Sequence, residues 1–368
     1  MYTKKVFPLT GMISWTLKYI MLFLLISFIP VFLFDILDWK WLHLPWLPIG
    51  LLGTAVAFIQ GFKNNASYDR LWEARKIWGG IVNTSRTWTI MIKDFISNDH
   101  ATDKLSSSEL KTIVKVIVMR HVAWMTALRY QMRKPKPWEE NLDSKRIKKF
   151  RDKNYALLES DIPKNDAISP YLTSNELAEL KEKGNWASQI LGLQSSHIKE
   201  LKGQGLIEDF RHMELMNVLK ELYTLQGKSE RIKNFPYPRQ FATLNQYFIW
   251  IFIILLPFGV MDAFQDIGQG FVSEMMDHQH EHDAGFFHFI YDVLGNHFVW
   301  LSVPFSALIS WVFYTLEMIG ESTENPFEGG INDVPITDMS RGIEIDIRQL
   351  IDDEGIPEAY VWDNNIVL

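Results

Sequence analysis

The sequence predicts an all-α membrane protein with four transmembrane helices and a large helical cytosolic domain. Four apolar segments approach the ~20 residues that cross a bilayer as a helix. Phe, Trp and Tyr make up 14% of the 368 residues, and Trp15, Trp39, Trp41, Trp46 and Trp300 lie near the ends of the apolar runs, where interfacial rings anchor. Of the 37 Lys and Arg, all but six lie between Lys63 and Arg239, so the positive-inside rule puts that stretch in the cytosol. The mean hydropathy of -0.04 therefore averages an apolar and a polar population.

The first span covers about Trp15 to Phe34, with Lys18 near its cytosolic end where a long side chain can snorkel. It is long, and it ends in bulky residues instead of a small-residue cleavage site, so it reads as a retained span and not a signal peptide. A Trp-bearing turn, Asp35 to His43, leads to the second span, Leu44 to Phe62. In the stretch from Gly53 to Gly80 that span turns without a break into a polar, charged, tryptophan-bearing helix. Thr54, Phe58 and Phe62 recur every four residues on one face, while Gly50, Gly53 and Gly61 offer close backbone approach. Spacing alone fits either a packing stripe or the lining of a passage. Asn64, Asn65, Asp69, Arg70, Glu73 and Arg75 follow, as ion-pair stitching or as a polar lining.

From Lys63 to Gln240 no window is apolar enough to span, yet helical periodicity marks Leu110 to Tyr130, Asn175 to Leu201 and Met213 to Leu225. The basic run Arg133 to Lys153 reads as a solvated helix face, with acidic lipid headgroups or attracted anions as the functional alternatives, and not as a nucleic-acid site. Phe235, Pro236, Tyr237 and Pro238 stop the last of these helices. The third span is Phe241 to Met261, followed by a loop, Asp262 to Gly285, with six acidic residues and no Lys or Arg, on the outer side. The fourth, Val293 to Leu316, carries Pro304 as an expected kink and returns the chain inside. The divisions are thus 1–62, 63–240, 241–320 and 321–368, in the inner membrane of a bacterial-type cell with both termini cytosolic. The last part holds an amphipathic segment in GIEIDIRQLI, and its tail from Pro357 follows no recognisable pattern.

The absence of Cys excludes disulfides and thiolate chemistry. Gly227, Lys228 and Ser229 mimic the end of a phosphate-binding loop, but Leu222 occupies the place of its first glycine. An enzyme of soluble type has little support, and no cofactor is implied. The one cluster of metal-ligating type is His278, His280 and His282, interleaved with Asp277, Glu281 and Asp283. Alternate residues of an extended segment share a side and could converge on zinc, or the segment is simply a hydrophilic loop.

In order and spacing, GFKNNASYDRLWEARKIWG (Gly61 to Gly79), QGKSERIKNFPYP (Gln226 to Pro238), ENPFEGGINDVP (Glu324 to Pro335) and SRGIEIDIRQL (Ser340 to Leu350) resemble the bestrophin family of ion channels, prokaryotic type. The resemblance implies a homopentamer whose second membrane helices surround a central pore, with a neck at Thr54, Phe58 and Phe62 and a second aperture at Met213. Two departures stand out. Thr54 replaces the usual branched aliphatic residue, and of the carboxylates that clasp calcium in animal members only Asp333, after Asn325, has a counterpart. The expected function is passage of small monovalent anions such as chloride across the lipid bilayer, since aromatic ring edges carry partial positive charge. The alternatives are a cation channel of the same architecture, a membrane metalloenzyme using the histidines, or a non-conducting scaffold.

Overall fold

The computed structural model describes residues 1–139, 154–277, 295, 297–362 and 364–368, which divide into two compact units. Secondary structure among them is helical apart from an isolated bridge between Tyr2 and Ile366. Among the described residues, four helices are long and apolar enough to cross a membrane.

The first unit comprises Lys5–Ser67 and Tyr237–Glu321. Helix α1, Leu9–Asp35, starts directly after Pro8, earlier than Trp15, because nothing between them breaks a helix. It buries Phe23, Val31 and Phe34 and leaves Leu17, Met21 and Leu25 exposed, as a helix apolar all round must in a bilayer. A 3₁₀ turn, Lys40–Leu42, leads into α2, Trp46–Phe95, a single helix of 50 residues. A core of Phe23, Ile49, Val56, Ile249, Phe252 and Leu256 joins these helices to the third and fourth spans.

Two expectations about those spans are corrected. The third helix does not end at Met261 but continues to Asp277, so the acidic stretch begins as helix and not as loop. Polar residues do not stop a helix unless proline or a capping turn intervenes, and VMDAFQDIGQGFVSEMMD has neither. The fourth helix runs from Ser302 to Ser322, so Pro304 sits in its first turn, where its missing N–H has no intrahelical role and no kink follows.

The second unit comprises Met1–Lys4, Tyr68–Pro236 and Ser322–Leu368. Helix α3, Ser107–Arg133, opens with a capping box in which the Glu109 N–H donates to Ser106 Oγ. Short helical turns lead to α4, Ser174–Lys181, and α5, Trp186–Gly203. The periodicity across Asn175 to Leu201 thus belongs to two helices, because the Asn185 side chain starts a fresh one by accepting from the Ser188 N–H at 3.1 Å. Helix α6, Asp209–Asn234, stops at the Phe-Pro-Tyr-Pro stretch as expected. The third and fourth membrane helices are α7, Arg239–Asp277, and α8, Ser302–Ser322. Last comes amphipathic α9, Ile336–Leu350. Trp78, Trp88 and Trp124 fill the core of this unit. Its tail, patternless in sequence, is tied down: Trp362 Nε1 donates to Asp338 at 2.6 Å, and the Asp338 N–H donates to the Leu368 carbonyl at 2.7 Å.

Candidate functional site

The site builds from α2. Thr54, Phe58 and Phe62 stand exposed on one face, Phe58 at 67% and Phe62 at 60% exposure. On another face of the same helix, Val56, Gln60, Lys63 and Ser67, spaced i, i+4, i+7 and i+11, are buried. The Phe58 and Phe62 rings meet edge to face, 4.6 Å between centroids and 89° between planes. This geometry turns one ring's positive edge and the other's negative face along the same line. Thr54 Oγ1 donates to its own helix at the Gly50 carbonyl, 2.9 Å, which leaves the oxygen's lone pairs outward as acceptors. Of the three glycines, only Gly53 serves close approach: a Cβ there would lie 2.6 Å from the Phe252 ring of α7. Within the chain, Gly61 has nothing within 4 Å and Gly50 only the ring of Trp46 one turn earlier.

The buried face carries charge. Lys63 donates to Glu317 on α8, the two side chains 4% and 6% exposed, and Asn245 Nδ2 donates to the second Glu317 oxygen at 2.5 Å. Gln60 Nε2 donates to the Phe313 carbonyl at 2.7 Å. An isolated ion in such a place is expelled or neutralised, and pairing with a hydrogen-bonded partner is what keeps it. Past the membrane length, Arg70 donates to the carbonyls of Glu324 (2.9 Å) and Ile232 (3.1 Å), and Glu73 pairs with Arg231, which is the stitching reading of that stretch.

Met213 lies on α6 and is exposed at 61%; Phe210, one turn earlier, is exposed at 76%. Asn325 Nδ2 donates to Glu328 at 2.7 Å. The buried Asp333 carboxylate accepts from the Gly329 and Gly330 N–H groups at 2.7 and 2.9 Å and lies 4.0 Å from the Arg133 guanidinium. Burial pushes its pKa up, against the pull of Arg133 and the two amides. Arg133 in turn opens the basic run not as a solvated residue but buried, 3.9 Å from Glu159. Calcium needs six to eight oxygen ligands, whereas Asp333 already faces N–H donors and a cation. His278, His280 and His282 lie outside the described residues, and no group of three or more metal-ligating side chains assembles among the described ones.

The family model described as Bacterial/Fungal Bestrophin protein matches residues 3–273 and 287–349. The chain belongs to the bestrophin family. Among its relatives, the voltage-dependent anion channel-forming protein YneE of Escherichia coli is 23% identical over 322 residues, covering 87% of this chain and 82% of the relative. The voltage-dependent anion channel-forming protein of Ralstonia nicotianae is 25% identical over 336 residues, covering 87% of each. The crystal structure of a bacterial bestrophin homolog from Klebsiella pneumoniae shares the fold, with a TM-score of 0.69 at 21% identity over 92% of this chain and 99% of that one. This bestrophin is a membrane protein and not an enzyme.

Sequence reading missed two groups in this bestrophin. The Lys63, Glu317 and Asn245 cluster had a signal, since a lysine directly follows the second apolar span and a glutamate the fourth. Phe210 had one too, as an aromatic residue in the first turn of α6. Each was legible only once the helices were placed side by side.

Proposed function

We propose that this bestrophin is an anion channel: a homopentamer in the bacterial inner membrane, both termini cytosolic, whose α2 helices surround a central pore for small monovalent anions such as chloride. The observation that carries the reading is the pair of exposed, mutually perpendicular Phe58 and Phe62 rings on a helix whose other face is buried. With Thr54 they form a dehydrating neck, and gating is its wetting and widening. Ring edges supply a positive field to a partly dehydrated anion, and the Thr54 oxygen makes this neck easier to wet. Met213, with Phe210 beside it, lines a second aperture. The names of the relatives support anions. Asn325 and Asp333 are structural, with no calcium between them, and permeation needs no cofactor, nucleic acid or metal at the outer histidines.

A cation channel of the same architecture is the second reading, favoured by the acidic stretch after the third span, which enriches cations at the mouth. Reversal potentials of the reconstituted protein in asymmetric potassium chloride decide between them. A reversal toward the chloride equilibrium potential is expected; reversal toward that of potassium gives the channel to cations. The mass of the detergent-solubilised particle is expected to be five subunits, and a monomer removes the shared pore.

A further inference from the structure

The neck residues need something to fix which face of α2 they occupy, and apolar packing alone does this poorly, because neighbouring apolar ridges are nearly interchangeable. The buried side of α2 instead meets α8 through directional polar contacts: Gln60 to the Phe313 carbonyl, Lys63 to Glu317, and Asn64 Nδ2 to the Leu316 carbonyl at 3.4 Å. Glu317 is held from its other side by Asn245 of α7. Gly320 admits Asn64, since a Cβ there would fall 2.0 Å from the amide oxygen. Lys63 directly follows Phe62, so the two side chains diverge by roughly 100° about one axis, one exposed and one buried.

Resting on the pore reading above, we propose that Glu317, acting through Lys63, is a positioning residue for the neck: the buried pair sets the rotation of α2 and so holds Phe58 and Phe62 toward the permeant ion. Turning α2 far enough to move the rings off the exposed face takes the ammonium from its carboxylate and leaves both charges buried and unpaired. The neck and the pair therefore move together. Opening of the neck by rotation strains or releases the pair, whereas a change confined to the Phe rotamers leaves it alone.

The test is single-channel recording in lipid bilayers of Glu317→Gln, Lys63→Met, the reversed pair Lys63→Glu with Glu317→Lys, and Phe58→Ala. Each single change at the pair is expected to shift the open-to-closed ratio by about tenfold, a difference of ~1.4 kcal/mol between the two states, and to alter unitary conductance. The reversed pair is expected to return both toward wild type. Wild-type conductance and gating in both single variants, with Phe58→Ala altered, overturn the positioning role and leave the neck standing. Wild-type behaviour of Phe58→Ala as well overturns the neck reading itself. If the single variants do not assemble, the uncharged double Lys63→Met with Glu317→Leu decides. Altered gating in an assembled double supports the role, and wild-type gating overturns it. A purely structural role would change yield without moving the recordings.

Discussion

In the unit of residues 1–4, 68–236 and 322–368, the rings of Trp78, Trp88 and Trp124 are fully buried, and buried cations such as Arg120, Arg133 and Lys233 each lie beside a carboxylate. In the unit of residues 5–67 and 237–321, Trp41, Trp46, Phe58 and Phe62 stand exposed. Buried charge there centres on the Lys63 and Glu317 pair. The first is assembled like a water-soluble domain, around a core of buried tryptophans. The second spends its apolar surface outward on lipid and, on one face of α2, on the aromatic stripe. Exposure therefore means different things in the two units. An exposed Phe is unremarkable in the membrane unit unless, as at Phe58 and Phe62, it belongs to a stripe that the chain orients with a buried ion pair on the other side.

The contrast can be broken by matched truncations. Trp124→Ala removes a fully buried ring whose Nε1 donates to Gln226 at 3.0 Å, and is expected to lower stability by about 3–5 kcal/mol. Leu25→Ala, on the exposed side of α1, is expected to stay within about 0.5 kcal/mol. Thermal unfolding in one detergent compares them, and equal losses would erase the distinction between the units.

Acid sharpens it next. His121 is fully buried between Trp88 and Trp124. Ser85 Oγ donates to the Ile81 carbonyl, so the His121 Nε2–H donates to Ser85 at 2.8 Å, and Nδ1 has no hydrogen-bond partner among the described residues. Burial pushes its pKa down from 6.5 to about 3. The unfolded chain takes up a proton below its ordinary pKa while the folded one stays neutral. His121 thus costs nothing above pH 6.5 and destabilises progressively as pH falls from 6.5 toward 3, by up to ~1.4 kcal/mol per pH unit. Urea or thermal unfolding of wild type and His121→Gln between pH 7 and 5 should show a flatter profile in the variant; parallel profiles would count against a neutral buried imidazole.

The smallest effect is local. Ser106→Ala removes the side-chain cap of α3 and should cost about 1 kcal/mol. Amide hydrogen exchange confined to the first turn of α3 would register it, and unchanged protection there would contradict the cap.

Much of this was legible in the sequence. The spans, the stop at Phe235 to Pro238 and the amphipathic α9 are local features, set by apolar run length, proline and periodicity. What was not legible depends on partners far along the chain. The tail beyond Pro357 has no periodicity because backbone groups hold it: the Val367 N–H donates to the Met1 carbonyl at 2.8 Å, beside the pairing of Tyr2 with Ile366. Continuation of α7 to Asp277 is not legible because acidic residues are common to loops and exposed helix ends; Asp262 meets His43 at 2.9 Å and is accommodated on the helix. For the site, spacing displayed the stripe of Thr54, Phe58 and Phe62, and the family resemblance supplied its meaning. The partner of Lys63, Glu317, lies 254 residues away, so nothing local to either residue marks the pair.

The most direct measurement of the central claim is the unitary conductance of Phe58→Ala beside that of Leu25→Ala, in the same bilayer and salt. Both side chains are exposed in the single chain, but only one is assigned to the pore. A changed conductance in Phe58→Ala with a wild-type value in Leu25→Ala is the expected result. An unchanged conductance in Phe58→Ala would mean that the aromatic stripe of α2 does not line the ion path.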